Sequence, residues 1–209
     1  MSVFGAIHFL KTVAAASDLP PAQGAEVAFA GRSNVGKSSA INALAQRKRI
    51  AYVSKTPGRT QHVNFFSLGE KRYLVDLPGY GYAAVPAAAR AHWNELIGGY
   101  LQTRATLRGL VLIMDVRHPL TELDRQLIAW LAPTRVPVHI LLSKADKVNR
   151  QQATATLHRV EHTLQVNYAH CTAQLFSSVR KIGIVEATKV ISGWLEDGRV
   201  HKKPPVKGE

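Results

Sequence analysis

The chain has 209 residues, enough to bury one substantial core and too few for several domains of ordinary size. Hydrophobic residues make up 46% and charged residues 20%, which excludes a disordered or fibrous chain, while a formal charge of +13 selects polyanions such as nucleic acid or an anionic membrane surface as partners. Cys171 is the only cysteine, so no disulfide closes within the chain, and no run of roughly 18 apolar residues is present to span a membrane.

Residues 1–24 mix short apolar pieces with Asp18-Leu19-Pro20-Pro21 and read as an arm leading into a domain. Met1 to Leu10 lacks the basic flank and long apolar stretch of a secretory signal. With a lone cysteine, that predicts a cytoplasmic protein. Strand-like apolar runs follow at Val27–Ala30, Val63–Leu68, Tyr73–Leu77, Leu110–Asp115, Val138–Leu142 and Gln174–Phe176. Their continuous apolar character fits a sheet covered on both faces. The short link from Leu68 to Tyr73 carries Gly69 and predicts an antiparallel hairpin.

Helical stripes fall between most strands. After Pro86, Trp93, Leu96, Ile97, Tyr100 and Leu101 share one face. Thr121 with Asp124 three residues on reads as a capping box, and Leu123, Leu127 and Leu131 follow at helical spacing. Ala153, Leu157, Val160 and Leu164 form the next stripe; Ile184, Ile191 and Leu195 form the last. The alternation predicts one α/β domain over residues 25–197: three layers, with a six-stranded, mostly parallel sheet, one antiparallel strand and helices on both faces. The tail over residues 198–209 holds Arg199, Lys202, Lys203 and Lys207 with two prolines and reads as disordered. No heptad array or apolar surface stripe is evident, so a monomer is expected.

Gly31, Arg32, Ser33, Asn34, Val35, Gly36, Lys37 and Ser38 match the phosphate-loop pattern GxxxxGK[ST] in full, after a strand and at the start of a helix. Glycines let backbone N–H groups turn inward around phosphates, and the helix N-terminus adds its dipole. Lys37 is placed to reach the β- and γ-phosphates, and the Ser38 hydroxyl to hold Mg²⁺. Asp76, Leu77, Pro78 and Gly79 close the third strand, at the sheet edge where ligands bind. Asp76 reads as a Mg²⁺ contact through water, and Gly79 as the N–H that senses the γ-phosphate.

Ser143, Lys144, Ala145 and Asp146 follow the strand Val138–Leu142. A carboxylate there accepts hydrogen bonds from guanine N1–H and N2–H₂, and adenine offers neither, which leaves the carboxylate unpaired. The Lys144 stem is expected to pack on the base. Phe176, Ser177 and Ser178 end the last strand, with N–H groups that are candidates for the guanine carbonyl. Gly58, Arg59, Thr60, Gln61 and His62 lie in a polar loop between a helix and a strand. That loop reads either as a switch, with Thr60 over Mg²⁺ and the γ-phosphate, or as an ordinary connection. Together the motifs predict GTP and GDP binding with Mg²⁺.

These motifs resemble the EngB family of bacterial translation-factor-related GTPases. The stretches that carry the resemblance are Gly31–Ser39, Lys55–Gln61, Asp76–Ala83, Arg117–Asp124, Leu142–Lys147 and Phe176–Ser178, over roughly residues 24–196. The resemblance implies a Ras-like phosphate-loop GTPase fold. It also implies a role in assembly of the large (50S) ribosomal subunit, and a requirement in cell division and septation. Residue by residue, it implies Gly31–Ser38 at the phosphates, Ser38, Thr60 and Asp76 (through water) at Mg²⁺, and Lys144 with Asp146 at the base. Ser143 departs from the expected Thr or Asn and cannot supply an amide.

Many Ras-like enzymes place a glutamine after DxxG to orient the attacking water. Tyr80 stands there and cannot do so, which predicts slow unaided hydrolysis, assisted at most by Lys37, Thr60 and Gly79, or a nucleotide-dependent binding module with little hydrolysis. A partner would supply the missing group. Alternatively, the Asn34 side chain holds K⁺ near the phosphates; a backbone bond steadying the loop is the favoured role for Asn34. From Val27 through Gly69 there is no acidic residue, and Arg47, Lys48 and Arg49 lie outside the loop motif, free for rRNA of the large subunit. The histidines lack metal-ligand spacing, and His139 in a predicted strand reads as a satisfied core residue.

Overall fold

A computed structural model of the chain describes residues 3–51, 62–81 and 96–196. In chain order the elements are β1 (His8–Val13), β2 (Ala25–Gly31), α1 (Lys37–Leu44), β3 (Val63–Ser67), β4 (Arg72–Asp76), α2 (residues 96–103), β5 (Leu107–Asp115), α3 (Glu122–Leu131), β6 (Val138–Ser143), α4 (Arg150–Asn167), β7 (Cys171–Leu175) and α5 (Ile184–Glu196). They form one sheet in the order β1-β3-β4-β2-β5-β6-β7.

The sheet has seven strands, not the expected six. The extra one, β1, lies within the segment read as an arm and pairs antiparallel with β3. It escaped the apolar-run criterion because it covers an edge: His8, Phe9 and Leu10 are exposed, and Val13 alone of the strand is buried. Only β3 runs against the other strands, as expected, and the Gly69 turn joins it to β4. The remaining neighbours pair in parallel.

Strands β2 and β5 are buried along their whole length, because both faces carry helices. On one face Ala28, Ala30, Leu110, Leu112, Met114, Ile140 and Leu142 pack with Leu96, Ile97, Leu101, Ile128, Leu131 and Val160 of α2, α3 and α4. On the other, Val27, Phe29, Val111, Ile113 and Leu141 pack with Ile41, Leu44, Ile191 and Leu195 of α1 and α5. The Thr121–Asp124 capping box opens α3 as predicted. Leu123 is the exception in that stripe and stays exposed.

Strands β2, β4, β5 and β7 begin earlier than the apolar runs implied. Glu26, in β2, is 1% exposed. Its carboxylate takes a forked pair from Arg104 (2.7–3.0 Å), the Tyr100 hydroxyl (2.8 Å) and the Thr106 hydroxyl (2.7 Å). A buried charge persists only when its lone pairs are filled this completely. The network fixes the end of α2 to the sheet edge opposite the phosphate loop.

His139 on β6 is 4% exposed and satisfied, as expected. Gln174 donates its amide to the Gly183 carbonyl (2.7 Å), so its oxygen faces the ring and Nε2–H of His139 donates to it (2.8 Å). Nδ1 then accepts from Thr172 (2.7 Å). Burial pushes the imidazole below its ordinary value. The unfolded chain therefore takes up the proton first, and stability is lost as pH falls below about 6.5. A urea-unfolding series from pH 7.5 to 5 should show that slope, and His139→Gln should flatten it; an equal slope in both proteins would contradict the assignment.

Candidate functional site

The parallel strands deliver four loops to one edge. β2 ends in Gly31 and runs into the phosphate loop. A Cβ on Gly31 would stand 2.8 Å from the Ile113 carbonyl oxygen, so only glycine lets the loop leave between β2 and β5. Gly36, at φ +99°, turns the chain into α1, whose first residue is Lys37. The loop is closed by a Val35 N–H to Arg32 carbonyl bond (3.3 Å).

Asp76 ends β4 beside the phosphate loop, and its carboxylate pairs with the Lys37 ammonium. Both side chains are largely withdrawn from solvent, so each is held by the other rather than by water. After Asp76 the backbone continues against the phosphate loop: Leu77 N–H donates to Phe29 O (3.0 Å), Tyr80 N–H to Gly31 O (3.3 Å) and Ser33 N–H to Tyr80 O (3.1 Å). Leu77 is fully buried in the core, so only its backbone faces the site. Gly79 lies against Ser33; a Cβ there would stand 3.1 Å from its Oγ.

The residues read as the base site surround the same loop. Ser143 points inward, not outward. Its hydroxyl, 3% exposed with its residue, reaches the carbonyl oxygens of Val35 (2.6 Å) and Met114 (2.9 Å). Its hydroxyl is thus a brace between β5, β6 and the phosphate loop. Lys144, at φ +58°, stretches back so that its ammonium donates to Asn34 O (2.8 Å) and pairs with Asp115 (3.0 Å), leaving its stem part-exposed. Asn34 is itself left-handed, at φ +64°. Asp146 accepts from the Ser177 hydroxyl (2.5 Å), which with Lys147 and Arg180 lowers its carboxyl below the ordinary range.

Of the predicted Phe176–Ser178 contacts, two are spent internally. Phe176 N–H donates to Leu142 O and Ser177 N–H to Ile182 O, so among these three only the Ser178 N–H is outside the backbone bonds of the described residues. Phe176 is fully buried and Ala145 nearly so. His62 is exposed just ahead of β3. Gly58, Arg59, Thr60 and Gln61 lie outside the described residues, as do Trp93 and the tail.

Asp115, which carried no motif, is part of the site. It ends β5, and its carboxylate takes Arg117 Nε (2.9 Å), Nη2 (2.6 Å) and N–H (3.0 Å) as well as Lys144. Those bonds, Arg117 first, hold it well below the usual carboxylate range. The only sequence signal was a carboxylate closing a buried strand.

A phosphate loop, an acidic residue closing the next parallel strand and a lysine–aspartate pair on a third loop are the pattern of a phosphate-loop GTPase, an enzyme that hydrolyses GTP. A family model described as a 50S ribosome-binding GTPase matches residues 26–144. The chain is 53% identical to the probable GTP-binding protein EngB of Nitrosomonas europaea over 99% of its length and 98% of that protein. It is 58% identical to that of Methylobacillus flagellatus over 86% of each. The chain belongs to the EngB family. Among solved structures, a probable GTP-binding protein EngB shares the fold with a TM-score of 0.66 at 19% identity, covering 82% of this chain and 98% of that one. Era in complex with MgGDPNP and a 16S ribosomal RNA segment has a TM-score of 0.64, also at 19% identity, covering 85% and 58%.

Ser143→Ala leaves two buried carbonyls without their shared donor. Thermal unfolding should show a loss of about 1–3 kcal/mol; an unchanged midpoint would exclude the brace.

Proposed function

We propose that this GTPase is a switch in assembly of the large (50S) ribosomal subunit, with slow hydrolysis of its own, acting in the cytoplasm as a monomer, and that normal division and septation depend on it. The observation that carries the reading is the conjunction of the phosphate loop with an exposed basic loop at the other end of the helix it opens, α1. Arg47, Lys48 and Arg49 are all exposed. They stand on a loop that Asn42 closes, donating to Ala51 O (3.0 Å) and accepting from Ala51 N–H (2.8 Å), so the three charges are presented from a fixed base. Phosphate contacts from such a cluster favour rRNA. In the sequence the same stretch leads into the polar loop that holds Thr60, so the basic cluster and the proposed switch adjoin along the chain.

In this reading the phosphates lie on Gly31–Ser38, and Asp146 with Lys144 reads guanine. Ser38 and Asp76 offer hydroxyl and carboxylate oxygens suited to Mg²⁺, with Thr60 as a further ligand. The Asp76 carboxylate already faces the first turn of α1 through Lys37, which supports the fit. When bound, Mg²⁺ neutralises charge on the β- and γ-phosphates. Tyr80 is buried with its hydroxyl engaged by Asp124 (2.6 Å), so it orients no water, and the missing group comes from the ribosomal particle. Asn34 steadies the loop rather than holding K⁺, and hydrolysis should run equally in KCl and NaCl.

Asp146→Asn exchanges one acceptor for a donor and should turn preference from guanine to xanthine nucleotides, read by competition binding. Retained guanine selectivity would refute the base-site assignment. In co-sedimentation with large subunits, a GTP analogue should bind more strongly than GDP at moderate salt. Replacing Arg47, Lys48 and Arg49 by alanine should lower the slope of log affinity against log salt by about 2–3; an unchanged slope would place the RNA contact elsewhere.

A further inference from the structure

We propose that Tyr80 is a positioning residue for GTP. Hung on Asp124, it holds the Gly79 N–H where the γ-phosphate arrives and so raises the affinity for GTP relative to GDP. The inference rests on the reading of Gly79 as the γ-phosphate donor.

Two independent tethers converge on Tyr80. The first is backbone. Arg32 and Tyr80 form a parallel bridge, with Tyr80 N–H on Gly31 O and Tyr80 O on Ser33 N–H. The pairing of β2 with β4 is thus carried past Asp76 and onto the phosphate loop, and Gly79 is caught between Leu77 and Tyr80 with its Cα against Ser33. The second tether is the side chain. The phenol is 8% exposed and donates to Asp124 Oδ1 at 2.6 Å. Burial, and then the Asp124 charge, raise the phenol far above its ordinary value, so it remains a donor at every physiological pH.

The anchor is rigid in its turn. Asp124 is 1% exposed, and its other oxygen accepts from Thr121 N–H (2.9 Å) and Thr121 Oγ1 (2.7 Å). The first of those bonds is one half of the capping box of α3, so the carboxylate is placed by the helix itself. Gly81 follows at φ +76°, and a Cβ there would stand 2.8 Å from Leu123 Cδ1. The chain leaves Tyr80 pressed onto the first turn of α3.

The position after DxxG therefore trades a water-orienting side chain for a mechanical tie. A contact shifts the balance between two nucleotides only when it acts on one complex more than the other. GTP alone carries the phosphate that meets Gly79, so the tie acts on GTP.

The test is titration calorimetry of the full chain with a non-hydrolysable GTP analogue and with GDP, both with Mg²⁺. Tyr80→Phe should weaken analogue binding about five- to tenfold and leave GDP unchanged within about twofold. In an Asp124→Ala background the same replacement should add less than about twofold, because the two residues act as one unit. An equal loss for both nucleotides would make the tie merely structural and overturn the proposal. So would an unchanged ratio, tighter analogue binding, or a full Tyr80→Phe effect without Asp124. If the parent protein binds neither nucleotide, the reading of the site fails first, and that result is seen before any variant is made.

Discussion

The parallel pairing of β2 with β4 on one side and β5 on the other is the constraint from which the site follows. Parallel strands must all end at the same edge, so the phosphate loop, Asp76, Asp115 and the Ser143–Asp146 loop meet without long connections. The Ser143 hydroxyl then ties the strand edges to the phosphate loop through one oxygen. The phosphate loop and the Ser143–Asp146 loop consequently share one frame.

Charge is handled differently at the two edges of the sheet. At the nucleotide edge Lys37 and Lys144 find Asp76 and Asp115 within the fold, so each cation reaches the site already oriented. At the opposite edge Glu26 is saturated by Arg104, Tyr100 and Thr106 and has no lone pair to spare. Buried pairs of this kind contribute little net stability over an apolar core. Their effect is to reject other registers, because a slipped β2 would leave a carboxylate buried alone.

Much of this was readable in the amino-acid order. The phosphate loop, DxxG and the lysine–aspartate pair are local patterns, and their spacing against apolar runs placed them on the right strands. What was not readable depended on partners far along the chain. Glu26 looked like the end of an apolar run, because the arginine that satisfies it lies 78 residues on. Asp115 has no motif and becomes part of the site only when β5 and β6 stand side by side. β1 hid because an edge strand buries one face at most. The brace that Ser143 forms depends on the carbonyls that face it, which its residue type does not reveal.

The central place of β2 also bears on how the chain is made. It is synthesised before either of its neighbours and is apolar except for Glu26, yet it finds β4 only after Asp76 has been added and β5 only after Asp115. Until β4 is made, a largely apolar strand has two open edges, and one stays open until β5, the form of chain most prone to stick to others. Folding on the ribosome therefore waits for the middle of the message, and the N-terminal third must be kept apart from its copies in the interval.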